Sequence, residues 1–443
     1  MIRDYQQVGL MRRTFGALGR RSRSDIENFR DRQVREIVAH AYANVPFYHR
    51  LYDEHGVTPS KVRGMGDLPM LPTITKQDLQ RTPIEDSVAR RVDISRLHAR
   101  RTSGTSGEPL TIRRTPSESR LLRMYYFQAF RSIGVRPREL AAGVRLKRPG
   151  SAAEPEKFLR RVANKLKVYP TADLIAENPA QILSALKELA PEILGDMPGR
   201  LSYVASRWSE SDLDYVANAP WPRLIVLGGE RLTSSVRSHL SQVFRARVLD
   251  MYSSVEFNLI ASECPATGAY HVADETVAFE ILDGNRVVQP GEVGQPVCTA
   301  LHSFASPLIR YPLGDLVTAG NTQCECGVSL STITNIQGRV ANYFELPDGL
   351  LTHNAKIEEA VAFAAPWVRQ TQVSQPAPDI LAIRVAPLRD SSAEDVERLR
   401  AYIDQFLDNR VKVDVIIDSE LAPEDWGKFR SVIRPRDAKP TTH

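Results

Sequence analysis

Apolar positions recur at spacings of three and four over residues 25–43, where Ile26, Phe29, Val34, Ile37, Val38 and Ala41 would share one face of an amphipathic helix. Pro46 stops that pattern. A Gly- and Pro-bearing stretch follows over 56–75, TKQDL at 75–79 reads as a helix start, and residues 117–133 turn helical again. AAGVRL at 141–146 reads as a short buried strand. Helical patterns at 178–189 and 233–245 then alternate with the apolar runs RLIVL and RVLDMY. Such alternation predicts an α/β sheet layered with helices. From about 276 the texture changes to VAFEILDGNRVV, PVCTAL and STITNI, short strands with Asp-Gly and Gly turn signals that predict a β-rich subdomain. The last hundred residues form a separate α+β pattern: helical KIEEAVAFA, strand-like VRQTQVS and ILAIRVA, helical SAEDVERLRAYIDQFL and strand-like KVDVIID. The expected organisation is a large α/β N-terminal domain, residues 1–337, and a small C-terminal domain, residues 338–443, meeting near Gly338 and Arg339.

Composition narrows the class without naming it. The 443 residues are 42% hydrophobic and 25% charged, proportions of an ordinary soluble globular chain. A net charge of +5 is small for this length and gives no sign of a dedicated nucleic-acid binder. The excess is local: residues 131–167 hold 11 basic and three acidic side chains. Within that segment KFLRRVANKLKV sets Phe158, Leu159, Val162 and Leu166 on one helix face and most of its basic residues on the others. That face is either plainly solvated or a dock for an anionic partner, whether a phosphate-bearing ligand, an acidic carrier protein or a membrane surface. The basic first 25 residues lack a continuous apolar run, and no stretch approaches the ~18 apolar residues of a membrane span. The expected location is the cytoplasm, with an amphipathic presequence as the alternative.

Two groups of residues carry candidate chemistry. In the loop RTSGTSGEP at 101–109, glycines let the backbone curl so that successive N–H groups point inward, and the hydroxyls add donors, a composition suited to an anion nest as well as to a plain turn. GxxxxGK[ST] does not occur, which disfavours a Walker-type NTPase. The second group comes from the four cysteines. Cys324 and Cys326 share the turn QCECG, while Cys264 and His271 flank the turn-rich PATGAY. Three thiolates and one imidazole are the ligand set of a closed, tetrahedral structural zinc site. Cys298, inside PVCTAL, reads as a buried strand residue.

The loop TSGTSGEP resembles the phosphate-binding signature of the adenylate-forming superfamily, and further segments fall in that family's order: GGE at 228–230, MYSSVE at 251–256, LIRYPLGD at 308–315, GR at 338–339 and GKFR at 427–430. Five ordered segments are far harder to obtain by chance than one loop. NVPFYHRLYDEHGV and LPTITKQDL near the start are similar to the phenylacetate-CoA ligase and CapK-like branch, so the resemblance runs from about residue 44 to the end. Some members of that branch carry a similar Cys and His arrangement.

The resemblance implies ATP-dependent activation of a carboxylic acid through an acyl-adenylate, then transfer to a thiol such as coenzyme A. It implies Lys428 as the catalytic lysine, Arg339 near ribose and phosphate, and Glu256 as the acid associated with Mg²⁺. Ser103, Gly104, Thr105, Ser106 and Gly107 would hold the phosphates, Asp315 the ribose hydroxyls, Gly229, Glu230 and Tyr252 would line the adenine pocket, and Ser253 would belong to the same nucleotide site. An aromatic acid is the substrate implied, with its pocket sought between Tyr125 and Val144 and after Glu256. The chain departs from the family pattern at Glu108, where many members have lysine, at Ser253, where glycine is common, and at Ala341 and Asn342, where an acidic hinge pair usually follows the GR. The hinge departure leaves two alternatives open: an adenylating enzyme that hands its acyl group to an amine or other nucleophile, and a non-catalytic zinc-stabilised binding protein.

Overall fold

The computed structural model describes residues 22–102, 108–136, 139–146, 171–176, 178–423 and 427–434. Both the 103–107 loop and the basic helix KFLRRVANKLKV lie outside the described residues. The chain divides into two compact units: Met1–Gly134 with Met251–Arg339, and Val135–Asp250 with Val340–His443. The C-terminal segment therefore clusters with residues 135–250, a grouping that no local sequence pattern carries.

The first unit opens with helix Arg23–Asn44, which Ser22 and Asp25 start with a reciprocal capping box. Its predicted apolar stripe is buried at Ile26, Val34, Ile37, Val38 and Ala41. Arg30 on the same helix reaches Asp274 at 3.2 Å. Pro46 begins a second helix, Pro46–Glu54, from the first position, where proline sacrifices no hydrogen bond. Helix Pro116–Ser132 has the same logic, with Thr115 and Glu118 closing its capping box. The other Glu118 oxygen accepts from the Phe304 and Ala305 amides at 2.7 and 2.9 Å. The β-rich region is an antiparallel sheet in which Val277–Asp283, Val293–Ala300, Asp315–Ala319, Thr332–Arg339, Tyr270–Val272 and Asn258–Glu263 lie side by side in that order. A small hairpin, His98–Arg101 with Thr111–Arg114, brackets the 103–107 loop.

In the second unit the parallel strands Thr171–Ala176, Ala141–Leu146, Ile193–Asp196 and Leu224–Gly228 pair in that order. Helices Pro179–Leu189, Pro198–Ala205, Glu210–Asn218 and Ser234–Phe244 connect or flank them, since parallel strands are joined by crossovers rather than hairpins. Their shared core includes Ile182, Leu186, Leu201, Val204, Ile225 and Leu240. The C-terminal part of the same unit has a four-stranded sheet in the order Lys412–Ile417, Ile380–Pro387, Val368–Ala377 and Val432–Ile433. Helices Asn354–Ala364 and Ala393–Phe406 bury Ile357, Val361, Leu399 and Ile403 against it. The mixed α/β fold expected from the pattern is thus present, and among the described residues the predicted strands and helices recur with ends shifted by up to three residues. Among the described residues no helix is long and apolar enough to cross a membrane.

Candidate active site

In the first unit the site grows from one register. Strand Asp315–Ala319 pairs antiparallel with Thr332–Arg339 so that Asp315 stands opposite Arg339. Gly314, with φ +74°, makes the turn that starts the strand, a backbone state that costs glycine little. Arg339 Nε lies 3.3 Å from Asp315 Oδ1, and its Nη1 donates to the Leu313 carbonyl at 2.9 Å. The Tyr252 hydroxyl donates to Asp315 Oδ2 at 2.6 Å. Burial first, and the neighbouring Asp315 charge next, hold the Tyr252 phenol far above its ordinary pKa, so it serves only as a neutral donor.

Strand Arg247–Ser254 carries Tyr252 and Ser253, with a register shift between them, and turns tightly at Ser254 to pair with Asn258. Asn258 adopts φ +66° there, and the Phe257 amide donates to Ser254 Oγ at 3.1 Å. The turn presents Glu256. Arg114, buried at 8% exposure, braces it by donating to the Val255 carbonyl at 3.1 Å and to the Glu256 carbonyl. Burial draws the Arg114 pKa down to about 10, while Glu118 and Glu256 push it back up, so it stays cationic at neutral pH. Nothing in the sequence marked Arg114. Its role comes from the TIRR strand ending against a turn 140 positions later in the chain, a contact no local pattern reports. Thr102 and Leu110 are joined by two hydrogen bonds: the Thr102 amide donates to the Leu110 carbonyl and the Leu110 amide to Thr102 Oγ1, both at 2.9 Å.

The proposed metal ligands converge. Cys264 and Cys324 are buried, Cys326 is exposed, and the ligand atoms of these three and His271 all lie within 4.8 Å of one another. The Cys324 and Cys264 sulfurs are 3.9 Å apart, and Cys326 Sγ is 3.3 Å from His271 Nε2. A tetrahedral zinc with bonds of about 2.3 Å to sulfur and 2.0–2.1 Å to nitrogen spaces its ligands by roughly 3.5–3.8 Å, and the 3.9 and 3.3 Å separations lie on either side of that range. Glycine turns make the approach: Gly268 at φ +76° folds the chain after Cys264, and Gly327 at φ +89° closes the turn after Cys326. Burial lowers the His271 pKa and favours the neutral imidazole, the form that ligates a metal. Cys298 is fully buried in strand Val293–Ala300, away from any such role.

Gly229, Glu230 and Lys428 belong to the second unit. Strand Leu224–Gly228 is followed by Gly229, whose φ of +85° turns the chain sharply. Both Glu230 side-chain oxygens accept backbone hydrogen bonds, Oε2 from the Gly199 amide at 3.0 Å and Oε1 from the Phe429 amide at 2.7 Å. Burial pushes its pKa up to about 7, against the pull of those two amides and the Lys428 charge. The structure thus joins Glu230 to the segment bearing Lys428, and separately joins Tyr252, Asp315 and Arg339.

No family model matches the chain. A phenylacetate-coenzyme A ligase of Thermus thermophilus is 26% identical over 366 residues, covering 78% of this chain and 77% of that protein. Its Escherichia coli namesake is 26% identical over 315 residues, covering 66% of this chain and 67% of its own. Among solved structures, a 2-hydroxyisobutyryl-CoA ligase in the postadenylation state, in complex with 2-HIB-AMP, superposes with a TM-score of 0.76 at 21% identity, covering 92% of this chain and 89% of that one. The chain is thus similar in sequence to phenylacetate-coenzyme A ligases and similar in fold to a solved CoA ligase.

Proposed function

We propose that the protein is an AMP-forming acid-CoA ligase acting in the cytoplasm. In the first step an acid carboxylate attacks the α-phosphorus of ATP and pyrophosphate leaves. In the second the coenzyme A thiolate attacks the acyl carbonyl and AMP leaves. The observation that carries this reading is the Tyr252, Asp315 and Arg339 cluster, in which a carboxylate is held by a phenol and a guanidinium on paired strands.

Each residue has a physical part. Asp315 accepts from the ribose hydroxyls, and Arg339 keeps positive charge beside the ribose and phosphate. Glu256, on its Arg114-braced turn, would supply a hard oxygen to Mg²⁺ bound with the triphosphate. Residues 103–107 bind phosphate through backbone amides and hydroxyls. Lys428 meets the two anions that must approach each other. An aromatic acid is the favoured substrate because the curated relatives are named for phenylacetate.

Acid-dependent pyrophosphate release from ATP tests the reading, with aromatic, aliphatic and hydroxy acids as substrates and with coenzyme A, a carrier-protein thiol and an amine as acceptors. The expected result is release with an aromatic acid and thioester formation only with coenzyme A. Silence with every acid overturns activation. Adenylate formation with transfer only to the amine overturns the ligase assignment and keeps the adenylation.

The cluster of Cys264, His271, Cys324 and Cys326 binds structural zinc in this proposal. Elemental analysis of the purified protein is expected to give about one zinc per chain, and Cys324→Ser to lose it. A folded, metal-free wild-type protein overturns the assignment.

A further inference from the structure

The contacts of Glu230 differ from those of a nucleotide-lining group. Its two carboxylate oxygens are divided between backbone amides from distant parts of the second unit: Gly199, in the first turn of helix Pro198–Ala205, and Phe429, the residue after Lys428. Gly199 is where that approach is closest. A Cβ added there would lie 2.6 Å from Phe429 Cβ and 2.9 Å from Glu230 Oε2, so only glycine lets the Phe429 backbone lie against the start of the helix. Neighbouring charges are committed elsewhere, Arg231 to Glu358 and Glu359, and Asp196 to Arg200.

We propose that Glu230 is a positioning residue for Lys428: with Gly199 it forms a receiving notch that clamps the Phe429 amide and so fixes where the adjacent Lys428 ammonium stands during adenylation. This rests on the adenylating-ligase reading with Lys428 as its lysine. It departs from the adenine-pocket role that the sequence resemblance gives Glu230. A carboxylate suits the task because both its oxygens accept. A glutamine in its place would turn an NH₂ group toward one of the two amides, breaking one contact and opposing donor to donor.

Glu230→Gln is the test, read against the wild type in three ways. Acyl-adenylate formation in a single turnover is expected to fall about tenfold or more, the scale of one hydrogen bond to a charged group, with KM for ATP held within about twofold. Thioester formation from supplied acyl-adenylate and coenzyme A is expected to stay at the wild-type rate. Amide hydrogen exchange of the peptide spanning 427–434 is expected to quicken about tenfold while other peptides keep their protection. A raised KM for ATP at unchanged kcat returns Glu230 to the adenine pocket and overturns the proposal. Equal loss in both half-reactions, or unchanged exchange at 427–434, overturns it as well. Gly199→Ala, whose new methyl group displaces Phe429 directly, gives the same readouts should the glutamine variant fold poorly. A wild-type protein that forms no adenylate with any acid would refute the ligase reading, and the exchange arm would still report separately on the Glu230 contact.

Discussion

Replacing Lys428 by alanine is expected to remove nearly all acid-dependent pyrophosphate exchange and to leave the protein folded. Adenylation brings a carboxylate and a triphosphate together while negative charge redistributes toward the departing pyrophosphate. A fixed cation at that point stabilises the transition state more than the ground state, and removing one such donor from an enclosed site costs about 10²–10³-fold in rate, or about 2.7–4 kcal/mol. The structural cost is small by comparison. Lys428 is half-buried, and the contact of its segment with Glu230 is made by the Phe429 backbone, which the substitution keeps. Lys428→Arg keeps the charge on a bulkier planar group and is expected to fall between the two. The measurement is ATP–pyrophosphate exchange with the best acid, beside a thermal melt. Exchange in the alanine variant within about threefold of wild type would take Lys428 out of the chemistry, since the expected loss is far larger.

Much of the fold could be read from residues 22 onward because its elements are locally determined. Ser22 and Asp25, Thr75 and Asp78, Thr115 and Glu118, and Ser392 and Asp395 each place a capping box where a helix begins. Alternating and continuous apolar runs set the strands in the same way. Candidate site residues could be picked out where a motif holds them close in sequence, as with Cys324 and Cys326, or where the resemblance supplies them, as with Asp315 and Arg339. What makes Asp315 and Arg339 a pair is the strand register, which only the folded sheet supplies. Arg114 and Gly199 were missed for the same reason. Arg114 looks like any strand arginine until the Val255–Glu256 turn lies against it, and Gly199 looks like a helix-start glycine until Phe429 packs there. GGE fixes the turn at Gly229 but not the direction in which the Glu230 side chain finds its donors, the Gly199 and Phe429 amides.

Asp315→Ala is expected to lower kcat/KM for ATP by about 10²-fold or more. Two ribose hydroxyls donating to one charged acceptor are worth about 1.5–3 kcal/mol each, and the alanine forfeits both. The variant also leaves the Tyr252 hydroxyl without its 2.6 Å acceptor and Arg339 without its carboxylate. The effect on folding is expected to be much smaller. The Arg339 side chain is 49% exposed, so water takes over for the lost ion pair, and such pairs contribute about 0–1 kcal/mol. The expected signature is therefore a large kinetic loss with a small change in melting temperature. Asp315→Asn separates charge from shape. It keeps one acceptor oxygen for Tyr252 but sets an NH₂ group near the guanidinium or the ribose, so its kcat/KM is expected between wild type and alanine. Tyr252→Phe removes one donor to Asp315 and leaves the carboxylate in place, so it is expected to lose far less than the alanine variant. Steady-state kinetics with varied ATP at saturating acid reads all three. An Asp315→Ala enzyme with unchanged kcat/KM would remove this carboxylate from the nucleotide site and leave its contacts with Tyr252 and Arg339 as features that hold two strands in register.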